Sequence, residues 1–116
     1  MSVHEQLKEV IESNDVVLFM KGTPDFPQCG FSGRTTQILR ACDARFASVD
    51  VLADDAVRQG IKAYSNWPTV PQLYVRGEFI GGCDIMTELY ESGELQKILQ
   101  AQSGQSEKSS AEKEAD

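Results

Sequence analysis

Residues 16–42 read VVLFMKGTPDFPQCGFSGRTTQILRAC, and the fold class turns on them. The first five form a short, β-rich, continuously apolar run, the pattern of a strand covered on both faces. The next eight, KGTPDFPQ, carry a glycine and two prolines, which exclude regular structure there. From Gly30 onward the residues read as a helix, with Ile38, Leu39 and Cys42 expected on its inner side. Cys29 stands at the mouth of that helix, where unpaired N–H groups and the helix dipole favour an anion. A thiolate at such a position ionises below the free value of about 8.5; the alternative is an inert, buried cysteine. Pro27, Gln28 and Gly30 surround Cys29 with a turn rather than an apolar run, which favours the reactive thiol. The place where a second cysteine would complete C-x-x-C holds Ser32.

Working outward, Val3, Leu7, Val10 and Ile11 fall at helical spacing and predict an amphipathic helix ended by SND at 13–15. RFASVDV (45–51) reads as a second strand, and DDAVRQGIKAYS (54–65) as a helix capped by Asp54 or Asp55. In residues 66–82 two short strands, QLYV and EFIG, meet at Arg76–Gly77, hence a hairpin. Residues 83–100 read as helix with a break near Ser92–Gly93. From Ala101 large apolar residues cease, so residues 1–100 are expected to form one domain and 101–116 a disordered polar tail. The order α-β-α-β-α-β-β-α predicts two crossovers that set the early strands parallel and a hairpin that adds an antiparallel edge. Helices must then cover both faces of a mixed four-stranded sheet. The fold class is α/β, with a thioredoxin-like architecture.

A net charge of -7 argues against general nucleic-acid binding, which needs a basic face, though not against a local basic pocket. No apolar run approaches the roughly 18 residues that would span a membrane. The start MSVHEQLKEV has neither a secretory signal nor an arginine-rich transit pattern, so a cytoplasmic protein is expected. Three cysteines without an export signal predict free thiols rather than a disulfide framework, and none sits in the C-x-x-C pairs of a zinc site.

KGTPDFPQCGFS (21–32), followed by WPTVPQLYVRGEFIGGCDI (67–85), resembles the monothiol glutaredoxins of the CGFS class, in the short single-domain form typical of bacteria. The resemblance runs from Val3 to about Leu99. It implies a glutathione site. Lys21 matches the lysine that reaches the glycine carboxylate and the sulfur, and Arg58 the basic residue that meets the same carboxylate. Val70 matches the residue that pairs main chain to main chain with the peptide, and Pro71 a cis-proline. Cys83 and Asp84 match the pair that holds the γ-glutamyl end at a helix start. Taken singly, Lys21 and Arg58 read equally as solvated charges, Asp84 as a helix cap and Pro71 as a trans turn residue. Cys42 reads as a small buried hydrophobe. For Cys83, nearer the site, a disulfide with Cys29 under oxidation is left open. Trp67 and Tyr74 are given packing roles, and His4 an exposed one.

With Ser32 in place of a resolving cysteine, resolution must come from an outside thiol such as glutathione. A [2Fe-2S] cluster is the second use for such a site, since its irons need four ligands and each chain supplies one. Two chains and two glutathiones complete four, which predicts a glutathione-bridged homodimer when loaded and a monomer when apo. The resemblance implies a carrier that delivers clusters to acceptor apoproteins, has little reductase activity and partners with BolA-like proteins. It also implies that TPDFP (23–27) shifts glutathione away from a geometry suited to rapid exchange. The rival reading is a glutathione-dependent monothiol oxidoreductase that removes glutathione from protein thiols. A third, a regulatory binding module, would require Cys29 to be dispensable.

Overall fold

The computed structural model describes residues 2–103, and the elements follow the chain signals closely. Helix α1 (Val3–Ser13) opens on a capping box: the Ser2 side chain accepts from the Glu5 N–H, and the Glu5 carboxylate accepts from the Ser2 N–H. Strand β1 is Val16–Met20, α2 Gly30–Ala41, β2 Ala47–Asp50 and α3 Asp55–Ser65. Of the two candidate caps for α3, Asp54 serves: its carboxylate accepts from the Ala56 N–H at 3.0 Å. Strands β3 (Gln72–Val75) and β4 (Glu78–Gly81) are joined by Arg76 and Gly77, at φ of 51° and 83°. Positive φ at both central residues is the mirror-image turn whose twist suits a two-residue hairpin. Helix α4 (Cys83–Ser92) stops at Gly93 in the left-handed region, and α5 (Glu94–Ser103) follows at once. The expected polar tail therefore begins inside the last turn of α5, and the rest of it lies outside the described residues.

The sheet order is β2-β1-β3-β4. β1 pairs parallel with β2 (Phe19 opposite Val49) and antiparallel with β3 (Phe19 opposite Gln72). The expectation of two parallel crossovers holds for β1-α2-β2 and fails for β2-α3-β3. A helix between strands enforces parallel pairing only when it carries the chain back to the end where the previous strand began. Here β2 finishes beside Met20 and β3 starts beside Phe19, so residues 51–71 leave and re-enter at the same end of the sheet. Helix α3 packs on α1, and the loop 66–71, with Pro68 and Pro71, brings the chain round.

Two cores result, one on each face. Val16, Leu18 and Met20 point into the layer built with Ile38, Leu39, Met86 and Leu95. Val17 and Phe19 point into the other, with Leu7, Ile11, Ile61 and Tyr74. The alternation within an unbroken apolar strand is the period of two, with both faces buried. Cys42 packs against the same core layer as Ile38 and Leu39, as expected, but is only half-buried because it sits at the C-cap of α2. No helix among the described residues is long and apolar enough to cross a membrane.

Leu18→Ala empties the centre of β1 and should lower the free energy of unfolding by about 2–5 kcal/mol. Leu52→Ala, whose side chain is exposed, should change it by less than about 0.5 kcal/mol. Urea denaturation measures both.

Candidate functional site

The end of the sheet where β1 stops, β2 stops and β3 starts is where the chemistry-bearing residues gather. Lys21 is the first residue past β1, and its backbone is held on both sides. The Lys21 N–H donates to Ser32 Oγ at 3.0 Å, and the Lys21 carbonyl accepts from the Gln28 N–H at 2.9 Å. Gly22 follows at φ 88°, and a Cβ there would come within 2.5 Å of the Phe26 carbonyl. Residues 23–26 close as a tight turn, with Thr23 and Phe26 exchanging backbone hydrogen bonds. The loop delivers Cys29 to the N-cap of α2, in extended backbone, its carbonyl accepting from the Gly33 N–H at 3.0 Å.

The Cys29 sulfur forms no cap hydrogen bond of ordinary geometry, yet its surroundings favour the thiolate. Partial burial pushes its pKa up. The N–H groups of Ser32 and Phe31, the Ser32 hydroxyl and the Lys21 charge outweigh that, leaving it below the usual thiol value. Ser32, fully buried, thus accepts from the Lys21 backbone and stabilises the neighbouring sulfur. The chain reading gave Ser32 no ligand or resolving role; what it missed was this local one. The signal was the i, i+3 spacing from the N-cap, which brings the third helical residue back to the cap. Cys42 has the opposite environment, and burial pushes its thiol up.

One cavity of about 420 Å³ takes in all six predicted site residues: Lys21, Cys29, Arg58, Val70, Cys83 and Asp84. That volume lies within the range of small-molecule sites. Arg58 comes from α3, and its buried Nε has no hydrogen-bond partner among the described residues. Val70 and Pro71 are buried, and the bond between them is cis. Gln72, wholly buried at the head of β3, donates through Nε2 to the carbonyls of Thr69 (3.0 Å) and Trp67 (3.4 Å), which fixes the loop before it. The N-cap of α4 is Gly82, not Asp84, so Asp84 is free of the capping role that it offered in the sequence. With no side chain capping that helix, its first N–H groups are available to an anion. Cys29 and Cys83 are both free thiols on the wall of the same cavity.

Among the lining residues that were not foreseen, Lys62, Trp67 and Phe31 bear on the chemistry. Lys62 lies one turn beyond Arg58 and adds a third cation. Trp67, given a packing role, does pack on Phe79 but also lines the cavity. Phe31, beside Cys29, lines it while staying exposed. Only the i, i+4 spacing of Arg58 and Lys62 was visible in the chain. A larger cavity of about 770 Å³ lies at the opposite end of the sheet, with Asp15, Cys42 and Arg45 on its wall. It contains none of the six residues and no thiol disposed to ionise, so size does not mark the reactive site.

Residues 16–80 match the family model described as Glutaredoxin. The chain is 62% identical over 94 residues to a chloroplastic monothiol glutaredoxin, S7, of rice, covering 81% of this chain but 56% of that protein. It is 56% identical over 95 residues to an uncharacterized monothiol glutaredoxin of Synechocystis, covering 82% of this chain and 89% of that one. Among solved structures it is similar to reduced poplar apo GrxS14, at 54% identity and a TM-score of 0.73, over 89% and 93% of the two chains.

The lowered Cys29 pKa and raised Cys42 pKa predict a divergence in reactivity. Alkylation by iodoacetamide, followed against pH by peptide mass, should show Cys29 half-ionised below, and Cys42 above, the pH found for the unfolded chain. Ser32→Ala should move the Cys29 midpoint upward and leave that of Cys42 in place.

Proposed function

The chain belongs to the glutaredoxins, as a monothiol member, and on that premise we propose that it binds glutathione and assembles, carries and transfers a [2Fe-2S] cluster as a glutathione-bridged homodimer. The observation that carries the reading is the make-up of the cavity wall. One thiol disposed to ionise faces three cations, Lys21, Arg58 and Lys62, with a carboxylate, Asp84, at a helix start. Glutathione offers the complement: two carboxylates, an ammonium and a thiol.

The buried Arg58 Nε supports the fit, because such a donor calls for an acceptor that the described residues do not supply. Lys21, Arg58 and Lys62 would hold the glycine carboxylate. The backbone of Val70 would pair with the peptide, and the N–H groups at Cys83–Asp84, with the Asp84 carboxylate, would hold the γ-glutamyl end. The glutathione thiol then stands beside Cys29 as the second sulfur that Ser32 does not provide.

The cluster is cargo. On this reading each chain brings one thiolate, Cys29, the thiol whose surroundings lower its pKa. Four thiolates require a second chain and two glutathiones. Loading therefore makes the dimer, and release to an acceptor apoprotein by ligand exchange returns the monomer. Cytoplasmic residence and a BolA-like partner belong to the same proposal. The second reading, removal of glutathione from protein thiols, is favoured by the same lowered pKa of Cys29, since the thiolate is the nucleophile that such an activity needs.

Anaerobic reconstitution with iron, sulfide and glutathione, read by visible absorption and by size, tests the proposal. Cys29→Ser should abolish the cluster, and Cys42→Ser should leave it intact. The loaded protein should run as a dimer and the apo protein as a monomer; a loaded monomer would refute the ligand count.

Arg58→Glu should weaken glutathione roughly tenfold or more, since a charged hydrogen bond contributes about 1.5–3 kcal/mol. Calorimetry at low salt measures this, and the melting temperature should barely move.

A further inference from the structure

The C-terminal end of β2 reaches the Cys29 site through one side chain that is not on the cavity wall. The parallel ladder between β1 and β2 ends with Met20 opposite Asp50, and the Val51 N–H donates to the Met20 carbonyl at 2.9 Å. Beyond that point the Asp50 side chain extends the connection. Its Oδ1 accepts from the Gly22 N–H at 2.9 Å and from the Leu52 N–H at 2.9 Å. Three hydrogen bonds thus fix the Lys21–Gly22 turn. Two come from the segment that carries Cys29, through Ser32 Oγ and the Gln28 N–H. The third, from Asp50, ties the turn to a different strand, 28 residues away in sequence. The left-handed, buried Gly22 has no room to be shifted by a side chain of its own.

We propose that Asp50 is a positioning residue of the Cys29 site: its carboxylate clamps the Lys21–Gly22 turn from the neighbouring strand and thereby holds the Lys21 ammonium beside the sulfur. The clamp and the charge of Asp50 act in opposite directions. As an anion, Asp50 weakens the positive field that greets an anionic ligand. As an acceptor, it keeps the cation that makes that field in place. Asparagine retains the oxygen and drops the charge, alanine loses both, and glutamate keeps the charge while moving the oxygen by one methylene. The inference rests on Cys29 being a reactive thiol beside Lys21, which both readings above share, and it needs neither glutathione nor a cluster.

The test is alkylation of Cys29 in the full chain at one pH, with iodoacetate and with iodoacetamide, read by peptide mass. Both reagents consume the same thiolate, so the thiolate fraction cancels in the ratio of their rates and only the local charge remains. Lys21→Ala should lower the iodoacetate-to-iodoacetamide ratio and so mark the value without the ammonium. Asp50→Ala should lower it roughly threefold or more, towards that value, as expected for a unit charge displaced by several ångströms. Asp50→Asn should hold the ratio at or above that of the wild type. Asp50→Glu should lower it, which keeps the test open if the alanine variant does not fold. A ratio raised in both Asn and Ala variants would show a charge effect alone and overturn the clamp. So would an unchanged ratio in Asp50→Ala or Asp50→Glu accompanied by a lower melting temperature, which is what a merely structural role gives. An unchanged ratio in Lys21→Ala would overturn the inference by removing the ammonium from the sulfur, whereas the cluster reading stands or falls on its own reconstitution assay.

Discussion

β1 is hydrogen-bonded along both edges and buried on both faces, so its five residues have no freedom to slide. A slip of one residue would exchange the side chains facing the two cores, sending Val17 and Phe19 into the layer that holds Leu18. The strand is therefore locked in register, and the point at which the chain leaves it is locked too. That point is Lys21. Because β2 ends and β3 begins at the same end of the sheet, three connections converge there: the loop to Cys29, the segment that enters α3 and the loop that ends in Pro71.

The convergence explains how an acidic chain builds a cationic pocket. The net charge is -7, yet Lys21, Arg58 and Lys62 line one cavity in which Asp84 is the carboxylate. A concave wall of one sign focuses the field where it is needed, whatever the overall balance. The same end of the sheet also carries Phe26 and Phe31, which with Leu52 are the large hydrophobic side chains exposed among the described residues.

Ser32 shows what replaces a second cysteine in this family member. A thiol there would place two sulfurs at one helix mouth; the hydroxyl instead fastens Lys21 and supports a single thiolate. The hydroxyl thus favours the thiolate form of Cys29 without adding a second sulfur to the helix mouth.

The elements, the loop-to-helix setting of Cys29, the hairpin turn at Arg76–Gly77 and the solitary thiol were all legible in the chain, because each rests on local rules: periodicity, caps and turn residues. The six residues that share the cavity were also picked out in the chain, but through matched motifs rather than through any property of each residue alone. The direction of β3 was not. Nothing in residues 51–71 states whether the helix and its following loop return the chain to the near or the far end of the sheet; packing of α3 on α1 and pairing with β1 decide it. From the closed sheet follow the features that the chain concealed: Trp67 and Phe31 on the cavity wall, and Asp50 reaching Gly22 across the boundary between β1 and β2. Sequence specifies what lies within a few residues along the backbone; a contact between segments tens of residues apart exists only once the sheet has closed.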